Sequence, residues 1–401
     1  MFFSKASICG LLTLLLGLPM QAQNRWLAEP LQYISPDSVY TWAYAGNDFR
    51  QTALLAEPQT AAMRFAAGSN VVAARDELLK QWQTLSAEFN IVGGGDNPLS
   101  DPQGIPSAIG TSLAAHLFLL TGEAGYVHFL ERTVFNAAGR TLADTTLQAG
   151  NADRRSAAEV FMAVPSMIYA TTPRRNELYV NLYTNATSTL HLGGQTFTFD
   201  QITNMPEDGS VKFRFSNLQH ELPLKVHLRL PDWAVYPTER TTEVNMPYAF
   251  VDKAPKGLQV FVNGHEVDSV KPDAQGYLCI DRTWQNHDEI YIEIPFTPRF
   301  LRRTLPNGTA QRGELALQFG PQVYVVTPAP AADTYFSVNA LPTLSTESDE
   351  QGNLLLKGYG FSSNKSTPQD AEAARVPYVA SPYVSGYKGA VWLPEYGSVD
   401  F

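Results

Sequence analysis

Residues 151–183 read NADRRSAAEVFMAVPSMIYATTPRRNELYVNLY, and the texture of the chain changes inside this stretch. From Ser156 to Tyr169 apolar residues recur at helical spacing. From Leu178 the period drops to two: Leu178, Val180 and Leu182 share one side, and Tyr179, Asn181 and Tyr183 the other. The switch near residue 170 predicts helices before it and sheets after it.

Both signals extend outward. Val71–Phe89, Ile105–Leu120 and Ala124–Asn136 keep the helical period, while LKVHLRL, GLQVFVN, EIYIEIP and LALQFG alternate. Asn263-Gly264 predicts a two-residue hairpin turn, which needs positive φ at both central positions. Thr343–Gln369 is polar except for Leu354–Leu356 and is expected to be mostly loop. The predicted architecture is multidomain α and β: a helical region over 23–170, then two antiparallel β-sandwiches over 171–298 and 299–401.

Composition narrows the function classes. The chain has 401 residues, 44% hydrophobic and 17% charged, enough for two or three domains. Its net charge is −10 with scattered Lys and Arg, so no basic face is expected for nucleic acid or an anionic membrane. Met1–Lys5, the apolar run Ala6–Leu18 and Met20-Gln21-Ala22 form a signal-peptide pattern over residues 1–22, which implies a secreted or periplasmic protein. The run falls short of the about 20 apolar residues of a spanning helix. Beyond Cys9 one cysteine remains, Cys279 in GYLCIDRTW, expected to be a buried small hydrophobe.

Several segments, in order, resemble glycoside hydrolase family 127, the β-L-arabinofuranosidase family. They are QWQTLSAEFNIVGGG (81–95), HLFLLTGEAGYVHFLERTVFNAAGR (116–140), Phe161–Tyr183, LPLKVHLRLPDWA (222–234), VFVNGHEV (260–267), LALQFGPQVYVV (315–326) and VPYVASPYVSGYKGAVWLP (376–394). The resemblance implies that residues 23–170 are the remnant of an (α/α)6 catalytic barrel, about its last third, followed by the two sandwiches. Helices cut from a barrel leave apolar faces without partners, so the remnant is expected to pack on the sandwiches, self-associate or be unstable.

The resemblance also implies a chemistry, and the residues for it are missing. In the family a cysteine thiolate attacks the anomeric carbon, and a zinc held by three cysteines and a glutamate keeps the sulfur deprotonated. Counting back from Val164-Pro165 places the adjacent cysteines on Ala152 and Asp153. Counting back from His116–Leu120 places the Glu-x-Cys motif on Gln103 and Ile105. None of the four can supply the ligand required, so no cofactor is expected.

A rebuilt glycosidase would need two carboxyl groups about 5 to 9.5 Å apart. Asp96, Asp101, Asp153 and Glu159 border the old pocket, but solvated loop and helix-start roles are the expectation; Glu131 in LERT is expected in a helix-surface ion pair. His116, His128, His191, His220, His227, His265 and His287 are too dispersed for a metal site. No Gly-x-Ser-x-Gly, phosphate loop or dinucleotide fingerprint is present. Trp233, Trp284, Trp392, Tyr383 and Tyr387 could stack on sugars but are expected in cores and seams. Two readings follow: a catalytically degenerate relative that binds arabinose-containing glycans or acts as an accessory protein, and an active glycoside hydrolase with a rebuilt carboxylate site.

Overall fold

The computed structural model describes residues 27, 29–40, 71–86, 91, 94–95, 105–106, 108–143, 151–234, 248–251, 258–267, 271–304, 310, 312–327, 335–339, 343–363, 374–386 and 389–396. Residues 1–22, expected to be a signal peptide, and Asp96, Asp101, Gln103 and Tyr387 lie outside them.

The helices are α1 (Val71–Ser86), α2 (Ala108–Thr121), α3 (Ala124–Thr133), which continues through a π-helical turn (Val134–Ala138) into α4 (Gly139–Ala143), and α5 (Asn151–Met167). Gly122, with φ +73, reverses the chain between α2 and α3; its N–H closes on Phe118 O at 2.7 Å, and the Thr121 hydroxyl accepts from Glu123 N. All ten residues of α3 are buried. Trp82 of α1 packs edge-on against Tyr126 and Phe129 of α3, at 5.1 and 5.5 Å between ring centroids. Among the described residues α3 is thus covered within the chain, while α5 exposes Met162.

Two sheets face each other in the middle of the chain. One carries β1 (Gln32–Ile34), β5 (Tyr169–Thr171), β6 (Glu177–Val180), β10 (Leu222–Arg229) and β14 (Tyr277–Trp284), in that order. The other runs β13 (His265–Glu266), β12 (Gln259–Val262), β15 (Glu289–Glu293), β9 (Ser210–Ser216), β8 (Gln195–Thr203), β7 (Asn185–Leu192) and β2 (Ser38–Tyr40). Their shared core includes Leu178, Val180, Phe197, Phe199, Phe213, Phe215, Val226, Leu228, Trp284 and Ile292. Trp284 stacks on Phe215 at 4.6 Å and donates to Leu224 O at 2.8 Å, so its one polar atom is satisfied inside the core. Asn263 and Gly264 have φ of 53 and 77, as the hairpin reading requires. Residues 32–40, inside the stretch assigned to helices, instead add an edge strand to each sheet; three residues are too few to show a period.

The C-terminal part departs from the expected second sandwich. A single nine-stranded sheet is described, ordered β11 (Tyr248–Phe250), β16 (Pro298–Arg303), β17 (Glu314–Phe319), β18 (Gln322–Thr327), β22 (Ala374–Pro382), β21 (Leu354–Ser363) and β19 (Tyr335–Ser337), with β20 (Ser345–Ser348) on β21 and β23 (Trp392–Pro394) on β17. Beside β23, Val338 N donates to Pro394 O and Tyr396 N to Val338 O, both close to 2.9 Å. These bonds join the end of β19 to β23, so the ring β17–β18–β22–β21–β19–β23 closes around Leu315, Leu317, Tyr324, Phe336, Leu356 and Tyr378. Closure covers the edges within the ring, while β11 and β20 stay outside it. Alternation identifies strands but carries no record of how a sheet closes.

The loop expected over Thr343–Gln369 is largely the hairpin β20–β21. Gly358 and Gly360, which look like turn residues, lie inside β21 because rings occupy the space of their side chains. A Cβ on Gly360 would meet the Phe336 ring at 2.4 Å, and one on Gly358 would meet Tyr378 at 2.8 Å.

Candidate functional site

The segment that carries Ile105 lies against the helix that opens at Asn151. Gly94–Gly95 (β3) pairs with Ile105–Pro106 (β4), and β4 lies against α5. Two stretches about fifty residues apart thus meet, one carrying Ile105 and the other opening with Asn151, Ala152 and Asp153. Glu159, one and a half turns further along α5, is exposed. Cys279 stands on β14, outside this junction, and among the described residues no group of three or more His, Cys, Asp or Glu is placed to hold a metal. The donors of this chain do not fit a cysteine-zinc centre at β4 and α5.

The polar chemistry lies instead on the outer face of the five-stranded sheet, under the helices. The register of β6, β10 and β14 sets it out in rows. Glu177, Lys225 and Asp281 form the outermost, Tyr179, His227 and Cys279 the next, and Arg229 with Tyr277 the innermost.

The innermost row is sealed. Arg229 is fully buried; Nη1 and Nη2 pair with Glu131 of α3, and Nε donates to Asn181 O. Glu131 Oε2 also accepts from Trp233 Nε1 at 3.1 Å. Tyr277 OH donates to Asn181 Oδ1 at 2.8 Å. The expected helix-surface role of Glu131 is therefore corrected: it is a buried carboxylate bridging helix and sheet. Its charge is matched by a guanidinium and its lone pairs by three donors, an arrangement that holds the two layers in register and leaves no oxygen for a substrate. Beside it, Arg132 donates to Ile91 O at 3.0 Å and Gln318 Oε1 at 2.9 Å, lies 3.6 Å from Asp232 and covers the Tyr248 ring at 4.0 Å. The π-helical turn presents Asn136, which donates to Pro321 O and accepts from Val323 N. Sequence reading missed this seam, because a single Glu or Arg on a helical period gives no sign of a partner about a hundred residues away.

The middle row reaches solvent. Tyr179 stacks on His227 with ring centroids 4.2 Å apart, and His227 Nε2 is 2.9 Å from Glu177 Oε2. Burial alone would lower the His227 pKa, but the neighbouring Cys279 and Glu177 outweigh it and raise it to about 9. The hydrogen bond to His227 holds Glu177 below the usual carboxylate range, against the effect of burial. Cys279, directly across the ladder from His227, is exposed rather than buried as expected, since its strand position points away from the sandwich core.

Of the aromatic candidates, Trp233, Trp284 and Tyr383 are buried in packing roles, and half-buried Trp392 is covered by the Arg303 guanidinium at 4.0 Å. Among the described residues the exposed aromatic is Tyr359 of β21, with Arg375 over its ring at 4.1 Å. Next to it Phe361 stacks on Tyr396 at 3.9 Å. His116 is half-buried, His128 is buried with Nε2 3.0 Å from Leu230 O, and His191, His220, His265 and His287 are exposed.

Comparison with known proteins agrees with the resemblance. Residues 177–296 match the model of the GH127 β-L-arabinofuranosidase middle domain. Among solved structures, a GH127 β-arabinofuranosidase superposes with a TM-score of 0.64 at 21% identity, over 84% of this chain and 60% of that one. A GH127 β-L-arabinofuranosidase from Geobacillus stearothermophilus gives 0.66 at 19% identity, over 84% and 59%. A protein described as a glycoside hydrolase gives 0.54 at 17%, over 72% and 51%. The chain thus spans between half and three-fifths of the length of the structures it matches, and at these identities the likeness is one of fold. No curated protein sequence matches. Residues 177–296 of this chain match a GH127 middle domain, and most of its length has the fold of GH127 structures.

Proposed function

We propose that this protein is a secreted or periplasmic GH127-type protein that binds arabinose-containing glycans and no longer cleaves them by the cysteine route. The observation that carries the reading is the contact of β4 with α5, and counting along the family-like segments puts Ile105, Ala152 and Asp153 where the resemblance expects ligands and nucleophile. A thiolate is needed there, and an aliphatic side chain or a carboxylate cannot supply one. Exposed Tyr359, with its neighbours Arg375, Phe361 and Tyr396, offers a face on which a sugar ring can stack.

The test pairs hydrolysis with binding. The mature protein should release nothing above a blank from an aryl β-L-arabinofuranoside and should carry no stoichiometric zinc. Arabinan should retard it on an affinity gel, with Tyr359→Ala weakening the retardation several-fold. Turnover abolished by Asp153→Asn would establish the rebuilt carboxylate site instead, and absence of retardation would remove the binding role.

A further inference from the structure

Outside the junction of β4 and α5, one cluster of reactive groups remains unused: Cys279, His227 and Glu177, from three adjacent strands. His227 is 7% exposed, held between the Tyr179 ring on one face and its hydrogen bond to Glu177 at Nε2. Nε2 points toward β6, so Nδ1 points toward β14. Nδ1 is buried and makes no hydrogen bond of good geometry; Asp273 Oδ2 lies 3.9 Å away, beyond bonding distance. A buried ring nitrogen left in this state costs free energy unless something uses it. The group across the ladder is the Cys279 side chain, which is exposed and in no disulfide.

We propose that Cys279 is a thiol–disulfide exchange site for low-molecular-weight disulfides, with His227 as its proton acceptor and Glu177 as the residue that positions His227. The Cys279 thiol proton passes to His227 Nδ1, giving a thiolate beside an imidazolium whose other N–H is held by Glu177. The thiolate attacks one sulfur of the disulfide. One S–S bond forms, the original S–S bond breaks, and the departing thiolate is protonated to a free thiol. The protein thiol is oxidised to the mixed disulfide and half of the reagent is reduced, so no further oxidant is required.

The order nucleophile, imidazole, carboxylate is the general arrangement that activates a thiol. The other groups facing His227 are Tyr179 on β6, Lys225 and Arg229 two residues to either side on β10 itself, Asp281 in an ion pair with Lys225 at 3.5 Å, Asp273, and Tyr277 edge-on at 6.5 Å. Asp281 offsets Lys225, and Glu131 offsets Arg229. The imidazolium is therefore the group left to stabilise a thiolate.

The experiment uses the full chain with Cys9→Ser, leaving Cys279 as its single thiol. An aromatic disulfide that releases a coloured thiol is added from pH 5 to 10, and the adduct is mapped by mass. The expected result is one equivalent released per chain. The rate at pH 6 should be at least about tenfold above that of an unstructured cysteine peptide, because the imidazole beside the sulfur takes up its proton. Glu177→Gln, checked for an unchanged far-UV spectrum, should return the profile toward that of the peptide. A parent profile that falls with pH as the peptide's does would overturn the proposal even if the variant misfolds. So would an unchanged profile in folded Glu177→Gln, or a product that is only the Cys279–Cys279 dimer. The outcome is independent of glycan binding, which is read on a different surface.

Discussion

Truncating Glu131 tests whether this carboxylate is structural or chemical. Glu131 and Arg229 are 3% and 0% exposed, and the pair has no solvent to replace a lost partner. In Glu131→Ala the guanidinium keeps its bond to Asn181 O but loses its counter-charge, a change that costs about 3–5 kcal/mol in buried pairs. The Trp233 indole N–H loses its acceptor as well, worth about 1–3 kcal/mol. The two losses share one site and are not additive, so the expected total is about 4–6 kcal/mol, a large share of a typical stability of about 5–15 kcal/mol. Glu131→Leu with Arg229→Met removes both charges, and should recover most of what either single change loses. The assay is urea unfolding followed by tryptophan fluorescence, comparing midpoints at constant slope for the two singles and the double. A loss below about 1 kcal/mol in Glu131→Ala, or a double variant no more stable than the singles, would refute the structural assignment.

Three further outcomes are expected. The folded His227 pKa of about 9 lies above its ordinary 6.5, so protonation favours the folded state. This contribution, at most about 3 kcal/mol, is complete below pH 6.5 and is lost as pH rises through 9; the melting temperature should fall over that window, and by less in Glu177→Gln. Gly360→Ala places a Cβ 2.4 Å from the Phe336 ring and 2.7 Å from Ser337 O, and should cost about 1–3 kcal/mol in chemical denaturation, with Phe336→Leu giving part of it back. Gly264→Ala meets nothing within 4 Å but keeps φ +77, so it should cost only the backbone penalty of about 1 kcal/mol; a larger loss would mean the hairpin has tertiary contacts.

Much of the fold was legible because the relevant signals are local. The helices over 71–86, 108–121, 124–133 and 151–167 overlap the predicted periodic runs, and the Asn263-Gly264 turn forms as its dihedral requirement dictates. The misses have local causes too. Gly358 and Gly360 read as loop because their reason for being glycine is the bulk of Phe336 and Tyr378 on other strands. Cys279 was misplaced because a cysteine amid Leu278 and Ile280 looks apolar, whereas its strand position puts it on the opposite face. At the candidate sites, Ala152 and Asp153 could be located by counting along a recognisable segment, but Glu131 gave no sign that Arg229 would meet it.

The amino-acid sequence by itself determined most of the helices and strands, the family resemblance, and which side chains residues 103–153 can supply. These follow from periodicity, turn dihedrals and side-chain identity, each a property of neighbours along the chain. Only the tertiary structure decided that β23 closes the C-terminal sheet, that Glu131 neutralises Arg229 across the helix–sheet seam, and that Cys279, His227 and Glu177 stand together. These are contacts between residues 50 to about 100 positions apart. Such pairings depend on strand register and layer packing, which a linear pattern does not encode.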